Sequence, residues 1–347
     1  MIKPRHLEKG DTVAIVSTSK GTLGEDFAIH RLEIAKKRLE EDYGLKVLIM
    51  PNALKGIDYL YNHPEKRAED LMEAFKNKEV KAIFNAIGGD DSIRLLPYID
   101  FDVIRNNPKI FTGFSDTTSM HFMMYKAGIM SYYGATILTN FSEYVKINDY
   151  TAKAINDTLF EPKDSLGILS SPYYYDDEDE KIWWDEKNIN KLREYHKEEI
   201  GYEIIQGKGI AEGKLLGGCI DVFVEDIGTP IWPSLDEWKD KIMFLETSEE
   251  DISKDYLIWI LRNLAAQGIF KVIKGILVGK PAKRSKYEPY KEAYLQVVGK
   301  EDSNPDLPIL FNVNFGHAEP IGVIPIGAMA RIDTDEATLT LLEKATE

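Results

Sequence analysis

Cysteine is nearly absent. Cys219 stands alone, so no disulfide can close within the chain, and neither a CxxC redox pair nor a cysteine zinc cluster can be built. Positive charge is in deficit: 43 Lys and Arg face 58 Asp and Glu, a net charge of −15 at pH 7. That balance argues against a nucleic-acid backbone or an anionic membrane as main partner, while leaving room for a local basic pocket. No apolar run approaches the length of a membrane span, and the first residues run into polar Lys9-Gly10-Asp11 without a signal core. A cytoplasmic protein is expected. A GxxxxGK[ST] phosphate loop and an HExxH metal helix are also missing, and Gly207-Lys-Gly209-Ile-Ala-Glu-Gly213 is one residue too long for a dinucleotide fingerprint.

With 347 residues the chain has room for two domains. Apolar runs at Thr12–Ser17, Lys46–Met50, Lys81–Ile87, Pro108–Gly113 and Met130–Tyr133 read as strands. Helical spacing lies between them over Glu25–Tyr43 and over Pro64–Lys76, where Pro64 suits a first helical turn. Strands alternating with helices imply crossover units and a mostly parallel sheet, with ligands beyond the carboxyl ends of the strands. The pattern breaks from Ser165 to Gly207, through an acidic, aromatic stretch holding Trp183-Trp184. The expected organisation is an α/β domain over 1–165, a linker or insert over 166–207 and a second domain over 208–347. In that second half Gly213–Gly218 leads to a helix through Val222 and Val224. Strands follow at Lys241–Glu246 and Lys274–Gly279, a helix at Asp251–Gln267, a strand and loop at Pro308–His317, and two short strands at Ala328–Asp333 and Thr338–Leu342.

The organising stretch is Lys109–Tyr125, in which an apolar run reaches Gly113-Phe-Ser115-Asp116 and continues as a helix. A serine on a strand-to-helix turn presents its hydroxyl beside free helix N–H groups, which favour developing negative charge. A plain strand–turn–helix joint with Ser115 or Asp116 as N-cap is the alternative. Gly88-Gly89 falls at the end of another strand, so two strands point to one edge. A serine nucleophile needs a base, usually histidine, and a group to orient it. His121 lies on the same helix, roughly 9 Å along the axis from Ser115, and is poorly placed. His6, His30, His63 and His196 read as surface residues. His317 follows an apolar strand in a Phe-Gly-His-Ala loop, and Glu246 ends a wholly apolar strand, where a partly buried carboxylate needs a partner. Each has a plainer reading: a loop histidine bonded to a carbonyl, and a capping glutamate. The paired tryptophans are either packing or a stacking wall for a ligand ring.

Four segments together carry a resemblance: Gly88-Gly-Asp-Asp-Ser-Ile-Arg-Leu-Leu-Pro-Tyr-Ile-Asp100, Pro108–Thr118, Phe244-Leu-Glu-Thr-Ser-Glu249 and Asn314-Phe-Gly-His317. In order and spacing they resemble the LD-carboxypeptidase serine peptidases over nearly the whole chain, most like the microcin C immunity (MccF-like) branch. The resemblance implies Ser115 as nucleophile, Glu246 and His317 completing a triad, and an oxyanion hole from the N–H of Gly88 or Gly89 and of Asp116. It implies an N-terminal α/β domain with a smaller β-rich C-terminal domain, a homodimer, no metal and no cofactor. Thr117 stands where hydrolases of the GxSxG type keep glycine, and Cys219 where some microcin-type members carry asparagine. The implied substrate is a small peptide conjugate, such as a peptidyl- or aminoacyl-nucleotide antibiotic, with Trp183 or Trp184 stacking on its base. The alternatives are an LD-carboxypeptidase trimming muropeptides and a non-catalytic small-ligand binding protein.

Overall fold

A computed structural model describes residues 1–175 and 184–347. The first half carries strands β1 (Thr12–Val16), β2 (Lys46–Ile49), β3 (Val80–Asn85), β4 (Ile110–Gly113) and β5 (Ser131–Tyr133). Short strands β6 (Leu166–Ile168), β7 (Tyr173–Tyr174), β8 (His196–Lys197) and β9 (Glu203–Gln206) follow. The second half adds β10 (Ile210–Cys219), β11 (Lys241–Glu246), β12 (Gly275–Gly279) and β13 (Ile309–Val313). The chain closes with β14 (Ile324–Ile326), β15 (Met329–Asp333) and β16 (Thr338–Leu341).

Two sheets result. The first runs β14-β5-β4-β3-β1-β2, parallel from β5 to β2, with β14 antiparallel at the edge. β1, β3 and β4 are almost wholly buried, as parallel strands covered on both faces must be, which is why they read as unbroken apolar runs. The second sheet has eight strands, β6-β16-β15-β10-β11-β12-β13-β9, parallel from β10 to β13 and antiparallel outside them. One continuous apolar cluster, from Leu7 to Ala345, joins both sheets.

Helix Pro64–Lys76 forms over the expected residues with Pro64 in its first turn. Helix Thr117–Ala127 ends on Gly128 at φ 84°, the left-handed stop that glycine adopts without steric cost. Three expectations shift. The stretch through Val222 and Val224 holds only the short helix Phe223–Asp226, because β10 runs on to Cys219 in register with β11. The helix expected from Asp251 begins at Lys254, where Ser253 Oγ caps the N–H of Tyr256 at 3.1 Å. The segment 166–207 contributes β6 and β9 to the two edges of the second sheet.

Candidate active site

The carboxyl ends of β3, β4 and β11 and the loop after β13 converge on one cavity of about 550 Å³. β4 stops at Gly113, where a Cβ would stand 2.7 Å from Thr117 Cγ2, so only glycine lets the strand turn so closely into the helix. Ser115 then adopts φ 65°, a left-handed conformation that costs a non-glycine residue on the order of 1–2 kcal/mol. The turn is clamped from both sides. Ser115 N–H donates to the Tyr133 hydroxyl at 3.0 Å, and its carbonyl accepts from Thr118 N–H at 2.9 Å and Thr118 Oγ1 at 2.7 Å. The strain thus falls on the serine expected to act as nucleophile.

Glu246, the last residue of β11, is fully buried. A buried carboxylate is costly unless both oxygens are bonded. Here Oε1 accepts the Tyr133 hydroxyl at 2.5 Å, and Oε2 lies 2.7 Å from His317 Nδ1 and accepts the His317 backbone N–H at 3.3 Å. Gly316, at φ 89°, explains the approach, since a Cβ there would overlap the Glu246 carboxylate. Tethered through Nδ1, the His317 ring packs edge-on against Phe114, with centroids 5.0 Å apart, and points Nε2 to the cavity wall. Nε2 lies 3.0 Å from Glu249 Oε2. Burial works against the imidazolium, but Glu246 and Glu249 outweigh it and hold the His317 pKa well above its ordinary value. Burial likewise opposes ionisation of Glu249, yet the His317 charge and hydrogen bond carry its pKa down to about 2.

Beyond β3, a Cβ at Gly88 would stand 2.7 Å from Ser115 Cβ and 2.8 Å from its Oγ. The double glycine is therefore pressed against the serine. Among the described residues the N–H groups of Gly88, Gly89 and Asp116 have no acceptor, as a site for an incoming oxyanion requires. The Asp116 side chain does not cap its helix. Its Oδ2 accepts from Ser19 Oγ, from Asp91 N–H at 3.1 Å and from Ser92 N–H at 2.9 Å, bracing the loop after Gly89 onto the serine turn. Burial raises the Asp116 pKa against those hydrogen bonds.

The expected residues fall as follows. Ser115, His317, Gly88, Gly89 and Asp116 line the cavity, with Glu246 behind His317. Trp184 also lines it, edge to face with Phe27 at 5.8 Å and stacked over the Arg31 guanidinium at 4.9 Å. Trp183 lies outside the described residues. His121 is buried between Ser131 Oγ and the Gly113 carbonyl, and burial pushes its pKa down to about 4, so it braces the elbow rather than joining the chemistry. Cys219 Sγ, Glu246 and His317 come within 4.8 Å of one another, a spacing that could hold a cation. Both Glu246 oxygens already accept protein hydrogen bonds, and burial beside Glu246 and Asp221 keeps Cys219 a thiol. That donor set orients an imidazole better than it binds a metal.

Sequence reasoning missed Tyr133 and Glu249. Tyr133 read as one more apolar strand residue. Its signal is a hydroxyl on a residue of a fully buried strand, which has to find a polar partner. Glu249 sat inside the quoted Phe244–Glu249 segment without a role.

Comparison with known proteins shows the family. Residues 13–134 match the LD-carboxypeptidase N-terminal domain and residues 212–332 the LD-carboxypeptidase C-terminal domain. The chain is 32% identical to a putative carboxypeptidase of Treponema pallidum (strain Nichols), over 80% of this chain and 77% of that protein. It is 28% identical to the microcin C7 self-immunity protein MccF of Escherichia coli, over 81% of this chain and 79% of that one. The crystal structure of an MccF-like protein from Streptococcus pneumoniae in complex with AMP superposes with a TM-score of 0.87 at 34% identity, covering 96% of this chain and 98% of that one.

Proposed function

Since this chain belongs to the LD-carboxypeptidase family, we propose that it is a serine hydrolase cleaving an amide bond in a small peptide conjugate through Ser115, His317 and Glu246. The observation that carries the reading is the meeting, around one cavity, of a strained serine, a carboxylate-bound histidine and three unoccupied backbone N–H donors.

Ser115 Oγ attacks the scissile carbonyl carbon as its proton passes to His317 Nε2. The new oxyanion takes hydrogen bonds from Asp116 N–H and from Gly88 or Gly89 N–H, each worth about 3 kcal/mol in such a site. Collapse breaks the C–N bond, and His317 returns the proton to the leaving nitrogen. Water, deprotonated by the same imidazole, then frees Ser115 from the acyl group. Glu246 fixes the ring through Nδ1 and stabilises its charged form.

The Phe27–Trp184 wall supports a conjugate that carries a nucleoside base, and the AMP held by the pneumococcal relative supports the same class. The substrate of this reading is an aminoacyl- or peptidyl-nucleotide, as in self-immunity to a peptidyl-nucleotide antibiotic. The carboxypeptidase naming of the treponemal relative favours a second substrate, a muropeptide losing its terminal D-residue. A cytoplasmic homodimer completes the proposal, and light scattering on the purified protein tests the dimer. Ser115→Ala is expected to lower turnover of whichever substrate is cleaved by about 10⁴-fold or more, with ligand binding retained. Hydrolysis persisting at the wild-type rate refutes the nucleophile.

A further inference from the structure

The proposed base and nucleophile are not engaged with one another. Among the described residues Ser115 Oγ makes no hydrogen bond, while His317 Nε2, the atom that has to accept its proton, faces Glu249 Oε2 at 3.0 Å. An imidazole held by carboxylates at both nitrogens is an imidazolium and takes no proton. Phe114 and Cys219, which also lie near the ring, offer no competing acceptor of comparable strength. Glu249 has to leave before Ser115 can be activated. Glu249 is the partner free to move: it follows β11 in a turn, and its side chain is 44% exposed, whereas Glu246 is fully buried.

The cavity wall around Glu249 is anionic. Asp90, Asp221 and Glu225 line the same space. Burial, with Asp116, Asp91 and Asp90 nearby, lifts the Glu225 pKa to about 7. Asp221 Oδ2 accepts Ser248 N–H at 2.6 Å, but its Oδ1 is buried without a partner. Asp116, 1% exposed and also lining the cavity, leaves Oδ1 unpartnered. Lys20 also acts on Glu249, while Lys283 and Lys286, on the other side of its turn, are paired with Asp251. Crowded, partly unsatisfied carboxylates repel an anionic group and attract a cation.

We propose that Glu249 is a specificity-determining residue: it binds a side-chain ammonium on the substrate residue next to the scissile bond, and its move onto that ammonium lets the Nε2 proton of His317 pass to solvent water, so that the neutral imidazole can take the proton of Ser115. The inference rests on the hydrolase reading above and narrows its substrate class to conjugates carrying a cationic residue. It follows that a neutral conjugate of equal size leaves the Glu249–His317 contact in place and is cleaved more slowly.

The test uses two matched series with the full-length protein. One pairs lysyl- with norleucyl-sulfamoyl adenosine, and the other pairs muropeptide tetrapeptides with lysine or norleucine at the third position. In whichever series is cleaved, kcat/KM for the lysine member is expected to exceed the norleucine member by about fivefold, the scale of one partly screened charge pair. In Glu249→Gln that ratio is expected to fall to about one. The rise of kcat/KM with pH, which follows loss of the His317 proton, is expected to move to lower pH because one of the two carboxylates holding that proton is gone. Equal wild-type rates on the paired substrates, a ratio unchanged in Glu249→Gln, or a pH limb that does not move overturns the role of Glu249 and leaves the hydrolase standing. No turnover of either series removes the hydrolase reading, and this inference with it.

Discussion

Replacing Tyr133 with phenylalanine removes one oxygen from the centre of the site. That oxygen donates to Glu246 Oε1 at 2.5 Å and accepts from Ser115 N–H at 3.0 Å. It therefore ties the serine turn, in the first sheet, to the orienting carboxylate, in the second. A hydrogen bond to a charged, buried acceptor contributes about 1.5–3 kcal/mol, and a stranded buried donor costs on the order of 1–3 kcal/mol. Ser115 is partly exposed, so its N–H regains part of that loss from water. The two together come to about 3 kcal/mol. For a chain of 347 residues, with an unfolding entropy of about 2 cal/mol/K per residue, this lowers the melting temperature by about 4 °C. Without its clamp Ser115 relaxes from φ 65°, and a displacement on the order of 1 Å at the nucleophile lowers kcat by about 100-fold. The control is Tyr132→Phe, one residue away, whose hydroxyl donates to the Ala345 carbonyl at 2.9 Å, away from the cavity. It is expected to cost stability without touching kcat. Calorimetric melting with steady-state kinetics on both variants decides. An unchanged kcat in Tyr133→Phe, or an equal fall in Tyr132→Phe, refutes the clamp.

Gly316→Ala puts a methyl group into the Glu246 carboxylate at a residue with φ 89°. It is expected to lower kcat/KM by at least about 100-fold while circular dichroism shows a folded protein, and a wild-type rate would show that the approach of His317 to Glu246 is not needed. Trp184→Ala removes the ring stacked on Arg31 at the cavity wall and is expected to weaken AMP binding by about tenfold in titration calorimetry. An unchanged affinity places the base elsewhere.

Much of this fold could be read from local pattern. β1, β3, β4 and β11 are buried on both faces and announced themselves as apolar runs, and Pro64 marked a helix start. β6 and β9 did not, because each is short and is held by partners far along the chain, β16 and β13. Ser115, Glu246 and His317 were each legible as a polar residue closing an apolar run, while their convergence came from the resemblance. The tie through Tyr133 was illegible for a physical reason: no periodicity records which of several buried hydroxyls meets a carboxylate 113 residues on. Glu249 was hidden by its composition, one acid among many in an acidic chain.

β14 lies seven residues after His317 and pairs with β5, with Ile324 opposite Tyr133. During synthesis the first sheet therefore has every strand but its last from an early stage, and β5 waits as a bare edge while nearly two hundred further residues are made. The strand that covers this edge is drawn from the same closing segment that brings His317 into the cavity of Ser115. A nascent chain thus gains its edge protection and the last residue of the proposed triad in one late step, and on that proposal cannot carry a working site while that sheet is still open.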